Sequence, residues 1–347
     1  MSSFWSRAAA AAVLGHFLLA FPAAPAAAGR PMVVKMATLA PEGSAWYRIL
    51  EQMGDDWKKA SGGAVALRIY PGGVVGGEDA MIRKMRVGQL QAAAVTGIGL
   101  ATIDRSFYAL HVPMMFASDE EFDFVRERVA PMLERRLEEK GFVVLNWGDA
   151  GWVRFFAQKP FTRPAEVKAM KLYVGAEDAT LVQLYKETGF RPVSLSVVDI
   201  LPGLQTGLID AFDTTPLAAL AFQWFALAPY MADLNFAPLT GATIIDRRAW
   251  EKIPAELRPK ILEASRAGGK RLRGEIRKLN EEAVTVMVRN GLKISRVPPE
   301  ARAEWRKLIE DIYPRIRGPI VPADAFDAVR ASRDAFRARH AKGAGAR

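Results

Sequence analysis

Leu204-Gln205-Thr206-Gly207-Leu208-Ile209-Asp210 reads as a helix running straight into a strand. Leu204 and Leu208 repeat at helical spacing on one apolar side. Gly207 permits the left-handed turn that stops the helix, and Ile209 opens an apolar strand over 209–212. Packing and turn chemistry account for these residues; they specify a fold and touch no ligand.

The same alternation extends outward. A short strand over 33–37 stops at Thr38-Leu39-Ala40-Pro41. Ser44 then caps a helix in which Trp46, Ile49, Leu50, Met53 and Trp57 recur at helical spacing. Gly62-Gly63 ends it. A strand over 65–70, the turn Pro71-Gly72-Gly73, a helix over 79–86 and a strand over 91–95 follow. A helix over 120–140 leads to a strand over 142–147. Strands alternating with helices predict an α/β fold with a mostly parallel sheet. A second α/β unit takes strands over 153–157, 171–174 and 209–212, with helices near 180–188 and 199–206. Trp147-Gly148-Asp149-Ala150-Gly151 reads as a crossing between lobes, and 239–243 as a second crossing. A long helix over 254–290 is expected to break only at Gly268-Gly269. A strand over 292–296 and a helix over 299–313 come next. From Arg337 a basic, Ala/Gly-rich tail is expected to fray.

With 347 residues, half of them hydrophobic and a quarter charged, the chain predicts two domains and ample core. No Cys means no disulfide, no Cys-based zinc site, no iron–sulfur cluster and no thiol nucleophile. Of three His, His16 lies in an N-terminal leader and His340 in the tail, which leaves His111 for the core. A His-rich metal site or a Ser-His-Asp triad is hard to build from that set. The formal net charge of +10 lies wholly in residues 251–347, which hold 23 basic and 13 acidic side chains. No RNA- or DNA-binding motif accompanies it, so no nucleic-acid partner is expected. A solvated helical surface accounts for it, with a docking face for a membrane partner as the alternative.

Residues 1–28 read as a secretory signal peptide. Arg7 is the basic start, 8–21 the apolar run, and Ala26-Ala27-Ala28 before Gly29 the small-residue cleavage pattern. No Cys follows it to carry a lipid anchor, and no later stretch approaches a membrane span. A soluble periplasmic protein is expected. It is expected to be a monomer, since no apolar heptad is evident.

Four stretches in order resemble the periplasmic solute-binding proteins of TRAP transporters, the DctP family, over nearly all of the chain past the leader. They are Ala37-Thr38-Leu39-Ala40-Pro41 with Gly43-Ser44; Ser61-Gly62-Gly63 through Tyr70-Pro71-Gly72-Gly73 to Gly76-Gly77-Glu78; Met85 through Gln91; and Leu204 through Asp210 followed by Pro216. The resemblance implies a two-lobed periplasmic binding protein. An interlobe cleft, crossing strands and a long C-terminal helix spanning the lobes are its parts. Lobe I would hold 29–150 plus about 241–280, lobe II 151–240 plus about 281–336, and 337–347 would be the tail. Such a protein closes on a small organic solute and delivers it to membrane permease subunits. It would need no cofactor and no metal, and would not be an enzyme. A ligand sensor feeding a receptor, or an enzyme on the same two-lobed fold, are the alternatives. No nucleophile elbow, metal-ligand cluster or GxGxxG motif supports the last.

The site follows from the same resemblance. Arg154 aligns with an arginine near the ligand carboxylate; a structural ion pair is its other reading. The family's principal carboxylate-clamping arginine is replaced by Tyr173, which makes this a divergent branch. A tyrosine offers one hydroxyl and an apolar face and cannot form the bidentate fork. Asp213, Thr214 and Thr215 stand where the family has ligand-facing polar residues. Thr38, Glu78, Thr96 and Gly97 match strand ends that face the cleft, where open α/β sheets bind ligands. Trp152, Phe155 and Trp224 are core packing or one wall of an apolar pocket. A carboxylate held by Arg154 is slightly favoured over an apolar or amphipathic solute held by Tyr173 and the aromatic segment.

Overall fold

The computed structural model describes residues 31–175 and 179–344. The expected leader, residues 1–28, lies outside them.

The elements run in this order: β1 (Met32–Thr38), α1 (Ala45–Ala60), β2 (Val65–Tyr70), α2 (Glu78–Arg86), β3 (Ala92–Thr96), α3 (Gly97–Ala101), α4 (Asp119–Glu139), β4 (Phe142–Ala157), α5 (Pro164–Lys168), β5 (Lys171–Gly175), α6 (Ala179–Glu187), β6 (Arg191–Leu195), α7 (Ile200–Gln205), β7 (Ala211–Thr214), α8 (Pro216–Ala221), β8 (Tyr230–Ala232), β9 (Ala237–Asp246), α9 (Arg247–Lys252), α10 (Arg258–Arg289), β10 (Lys293–Ser295), α11 (Pro299–Ile316) and α12 (Ala323–Ala344). The sheet order is β2-β1-β3-β9-β4-β7-β5-β6, with β8 beside β4 and β10 beside β8. Strands β1, β2 and β3 pair in parallel, as do β5 with β6 and β7. This is the two-lobed α/β architecture.

One strand carries both lobes. β4 runs 16 residues without interruption, where the sequence suggested two strands and a linker. Its pairing with β9 covers Phe142 to Val153, and its end, Arg154 to Ala157, pairs with β7. Register shifts between Val144 and Asn146 and between Asp149 and Gly151 bend it where it leaves the first lobe.

The core is divided the same way. Val34, Met36, Trp57 and Ile245 pack on one face of the first half of the sheet, while Met81, Phe107, Phe122 and Ile244 fill another cluster there. In the second half, Phe155, Phe161 and Trp305 form one cluster, and Phe156, Ile200, Phe212 and Trp224 another.

The turn after Leu204 forms as its sequence predicts. Gly207 has φ +68°, and the Leu208 amide donates to the Gly203 carbonyl at 2.8 Å. Ile209 is fully buried, but Leu208 is 48% exposed and does not share the apolar side of Leu204. The left-handed residue between them swings Leu208 outward.

α10 is 32 residues long and unbroken through Gly268-Gly269. Both glycines are buried. A β carbon on Gly269 would stand 2.7 Å from the Trp147 carbonyl oxygen. The pair therefore lets the helix lie directly on β4 and does not end it. From α1, where Trp57 donates to the Ser265 hydroxyl at 2.8 Å, α10 reaches α8, where the Leu217 amide donates to Asn280 at 3.0 Å.

Two C-terminal expectations are corrected. After α11 the chain returns to the first lobe: Phe326 and Val329 of α12 belong to the cluster around Phe122 and Val125. Nor does a frayed tail begin at Arg337. α12 continues to Ala344, and Arg337 Nε donates to the buried Glu121 carboxylate at 2.6 Å. Among the described residues, no helix is long and apolar enough to cross a membrane.

Candidate functional site

A cavity of about 290 Å³ lies between the halves of the sheet. β1 and β3 contribute Thr38 and Thr96 from their carboxyl ends, and α2 contributes Glu78. β4 contributes Asn146, Asp149 and Val153. β5 and β7 contribute Tyr173, Asp213 and Thr214, and α6 contributes Tyr185. The second crossing, 239–243, closes one side. Across the cleft the halves touch. Leu184 of α6 packs into the first lobe's core, and a β carbon on Gly73 would lie 3.0 Å from Val198 Cγ1.

The polar groups of the first half are tied to their own lobe. Glu78 opens α2 and accepts from both the amide and the hydroxyl of Thr96, each at 2.6 Å. Gly99 permits this, since a β carbon there would meet the Glu78 carboxylate at 2.6 Å. Asp149 accepts from the Gly151 amide at 3.0 Å and from Arg277 at 3.0 Å. Burial pushes its pKa up, while Arg277 opposes the shift.

Asp213 differs. Burial pushes its pKa up to about 6, and its own amide is the one group that lowers it. No cation pairs with it among the described residues. Tyr185 lies near enough that burial and then the Asp213 charge both raise its phenol pKa. Lys, Arg and His are absent from the described lining, which carries Glu78, Asp149 and Asp213 beside Trp46, Tyr108, Tyr173, Tyr185, Phe222 and Trp224.

Seven of the residues singled out in the sequence line this cavity: Thr38, Glu78, Thr96, Tyr173, Asp213, Thr214 and Trp224. Five do not. Arg154 sits at the alternate strand position, where its Nε donates to Asn235 at 3.1 Å and its Nη2 lies 3.6 Å from Glu281 of α10. Its neighbour Val153 reaches the cavity instead. Gly97 is filled in by His111, whose Nε2 would lie 1.7 Å from a β carbon. Trp152 donates to Asp119 at 2.9 Å. Phe155 stacks on Trp305 inside the second lobe. Thr215 is fully buried, and its hydroxyl has no hydrogen-bond partner among the described residues. Sequence reasoning missed Val153, Asp149 and Tyr185. Strand alternation is the signal that separates Val153 from Arg154; nothing local marks the other two.

Two lobes joined by crossing strands, closed over a cavity at their carboxyl-end face, define an interlobe solute-binding protein. Residues 36–317 match the model of bacterial extracellular solute-binding protein family 7, DctP, and the chain belongs to that family. The C4-dicarboxylate-binding periplasmic protein DctP of Rhodobacter capsulatus is 22% identical over 330 residues, covering 92% of this chain and 97% of that one. Its counterpart of the same name in Vibrio cholerae is 21% identical over 271 residues, 78% of this chain and 81% of the relative. A TRAP periplasmic solute-binding protein from Sulfurospirillum deleyianum, solved with bound succinate, superposes with a TM-score of 0.80 at 20% identity. It covers 87% of this chain and 99% of its own. One from Haemophilus influenzae, with bound L-gulonate, gives 0.81 at 18% identity over 88% and 99%.

Proposed function

We propose that this chain is the exported solute receptor of a TRAP transporter. It closes its lobes on a small organic solute in the periplasm and hands it, chemically unchanged, to membrane permease subunits. The observation that carries the reading is the cavity walled by both lobes in a chain of family 7. Kinship with receptors solved with succinate and L-gulonate supports a small organic molecule as cargo.

Native mass spectrometry of the exported protein tests this. A retained small molecule is expected, released on mild denaturation and recovered unaltered after incubation. Its conversion to a product would argue for an enzyme, and a chain that stays in the cytoplasm would remove the receptor role.

A further inference from the structure

We propose that a second binding site lies outside the cleft, against the open edge of β4 between α10 and α4, and that it takes a compact oxyanion of two or more charges, a phosphate or a polycarboxylate. The site goes beyond the solute-binding reading above and does not depend on it.

Strand pairing sets the place. β4 pairs with β9 over Phe142 to Val153 and meets β7 only from Arg154 onward, so over 144–147 its other edge has no strand partner among the described residues. A cavity of about 270 Å³ lies there. β4 contributes Asn146 and Trp147, α10 contributes Arg266 and Arg273, and α4 contributes Glu134. Among the described residues, Asn146 is the one that lines both this cavity and the cleft. Backbone amides at a sheet edge favour negative charge beside them.

The α10 wall is cationic and unmatched. Arg266, Lys270 and Arg273 recur at i, i+4 and i+7, on one face of the helix. Among the described residues none of the three has a carboxylate at ion-pairing distance; Arg273 reaches the Trp147 carbonyl, at 3.4 Å. Glu134, the acid of the lining, accepts from the Trp147 indole at 2.6 Å. Asp123 and Asp149 are held by Arg277, at 2.7 and 2.8 Å for the first and 3.0 Å for the second.

A further guanidinium is left short of partners. Arg126 of α4 is 4% exposed. Its Nη2 pairs with Asp123 at 3.0 Å, while Nη1 is buried with no hydrogen-bond partner among the described residues. Burial lowers the Arg126 pKa, and the Arg273 charge lowers it further, outweighing the opposing effect of Asp123. Two like charges held together where water is scarce are unfavourable until an anion comes between them. An oxyanion with several acceptor oxygens and two charges meets both guanidinium forks; a singly charged ion cannot neutralise both.

The probes are phosphate, citrate and nitrate. Each is titrated by calorimetry at constant ionic strength and pH 7.5 into the protein as isolated, with any retained solute left in the cleft. The wild type, Arg273→Gln, Arg266→Gln and Lys260→Gln are compared; Lys260 is an exposed cation of α10 off the Arg266–Arg273 face. Phosphate or citrate is expected to bind and nitrate is not. Arg273→Gln is expected to weaken that binding about tenfold or more, and Arg266→Gln by severalfold. Lys260→Gln is expected to leave it within about twofold. Tighter phosphate identifies a tetrahedral oxyanion as the occupant, and tighter citrate a polycarboxylate. Arg266 is exposed, so its variant keeps the test open if Arg273→Gln does not fold. Without added anion, Arg273→Gln is also expected to melt above the wild type, because a charge facing Arg126 is gone. Absence of binding, equal binding of nitrate, or an equal loss in Lys260→Gln overturns the site. So does binding that persists in both arginine variants, which would place the anion elsewhere.

Discussion

Asn280 of α10 stands where a side chain on Gly151 of β4 would have to be: a β carbon on Gly151 would lie 2.3 Å from Asn280 Nδ2. The amide nitrogen of Asn280 donates to the Ala150 carbonyl at 2.9 Å, while its oxygen accepts from the Leu217 amide at 3.0 Å. One side chain thus ties the crossing strand and α8 of the second lobe to the spanning helix. Replacing it leaves buried backbone groups unpaired. Asn280→Ala is expected to destabilise the protein by about 2–4 kcal/mol. Gly151→Ala is expected to do likewise, because φ there is +102° as well as crowded. Urea unfolding measures both. A loss below about 0.5 kcal/mol in each would show that the strand is held by other contacts.

Gly269 makes the second such contact. Its missing β carbon lets the helix reach the Trp147 carbonyl and Asn146. In an isolated helix Gly→Ala stabilises by about 1 kcal/mol. Here the sign reverses, and Gly269→Ala is expected to lower stability by about 1–3 kcal/mol as the backbone shifts to relieve the clash. Gly274, with open space around it, is the control: Gly274→Ala is expected to stabilise. Thermal unfolding of the pair distinguishes close approach from propensity, and equal shifts of the same sign would refute the packing argument.

That contrast shows how far a sequence can be read. Strand and helix periodicity, and the turn at Gly207, are local properties, so the α/β alternation and the order of elements were legible. Thr38 and Thr96 could be placed at the cleft because strand ends face it in any open α/β sheet, whereas Glu78 reaches it from the first turn of α2. Gly268-Gly269 was misread because propensity alone makes a glycine pair a break; the partner that makes it a contact is more than a hundred residues away. Arg154 went astray by one position, since the side-chain period of a strand is two and a single shift reverses the face. The pairing that fixes the phase is non-local. α12 was invisible because its inward apolar residues are spread among arginines, and its hold on the fold comes from α4.

Arg154→Ala separates cleft from scaffold. Glu281 is 76% exposed, so that ion pair contributes little, and the Asn235 hydrogen bond contributes about 1 kcal/mol. The variant is expected to lose about 1 kcal/mol of stability and to bind the co-purified solute within twofold of the wild type. A tenfold or larger loss of affinity with unchanged stability would return Arg154 to the binding site.

His111 carries an acid-sensitivity prediction. Its Nδ1 hydrogen-bonds the Pro238 carbonyl at 3.0 Å, while Nε2 is buried with no partner among the described residues. Burial lowers its pKa to about 4, and the Pro238 bond only partly opposes this. The native state therefore takes up its proton later than the unfolded chain, whose His titrates near 6.5. Stability is full above about pH 6.5 and is lost as pH falls toward 4. From the size of the shift, His111 accounts for about 2 kcal/mol of the drop between pH 7 and 4.5. His111→Asn keeps a donor for Pro238 without the titration. It is expected to be less stable at pH 7 but to lose about 2 kcal/mol less on acidification. Parallel slopes for the two proteins in urea unfolding would show that His111 is not the titrating group.

Asp213 has the opposite sign. Its folded pKa, about 6, lies above that of an unfolded aspartate, so the native state holds the proton more tightly. Stability is then highest below about pH 4 and declines as pH rises through 6, because the carboxylate must ionise where water is scarce. Removing the charge relieves that penalty. Solute-free Asp213→Asn is expected to be about 2 kcal/mol more stable than the wild type at pH 7.5, with the gain vanishing near pH 4. Denaturation curves at the two pH values decide the matter: a variant less stable than the wild type at pH 7.5 would mean that the Asp213 charge is already met within the protein.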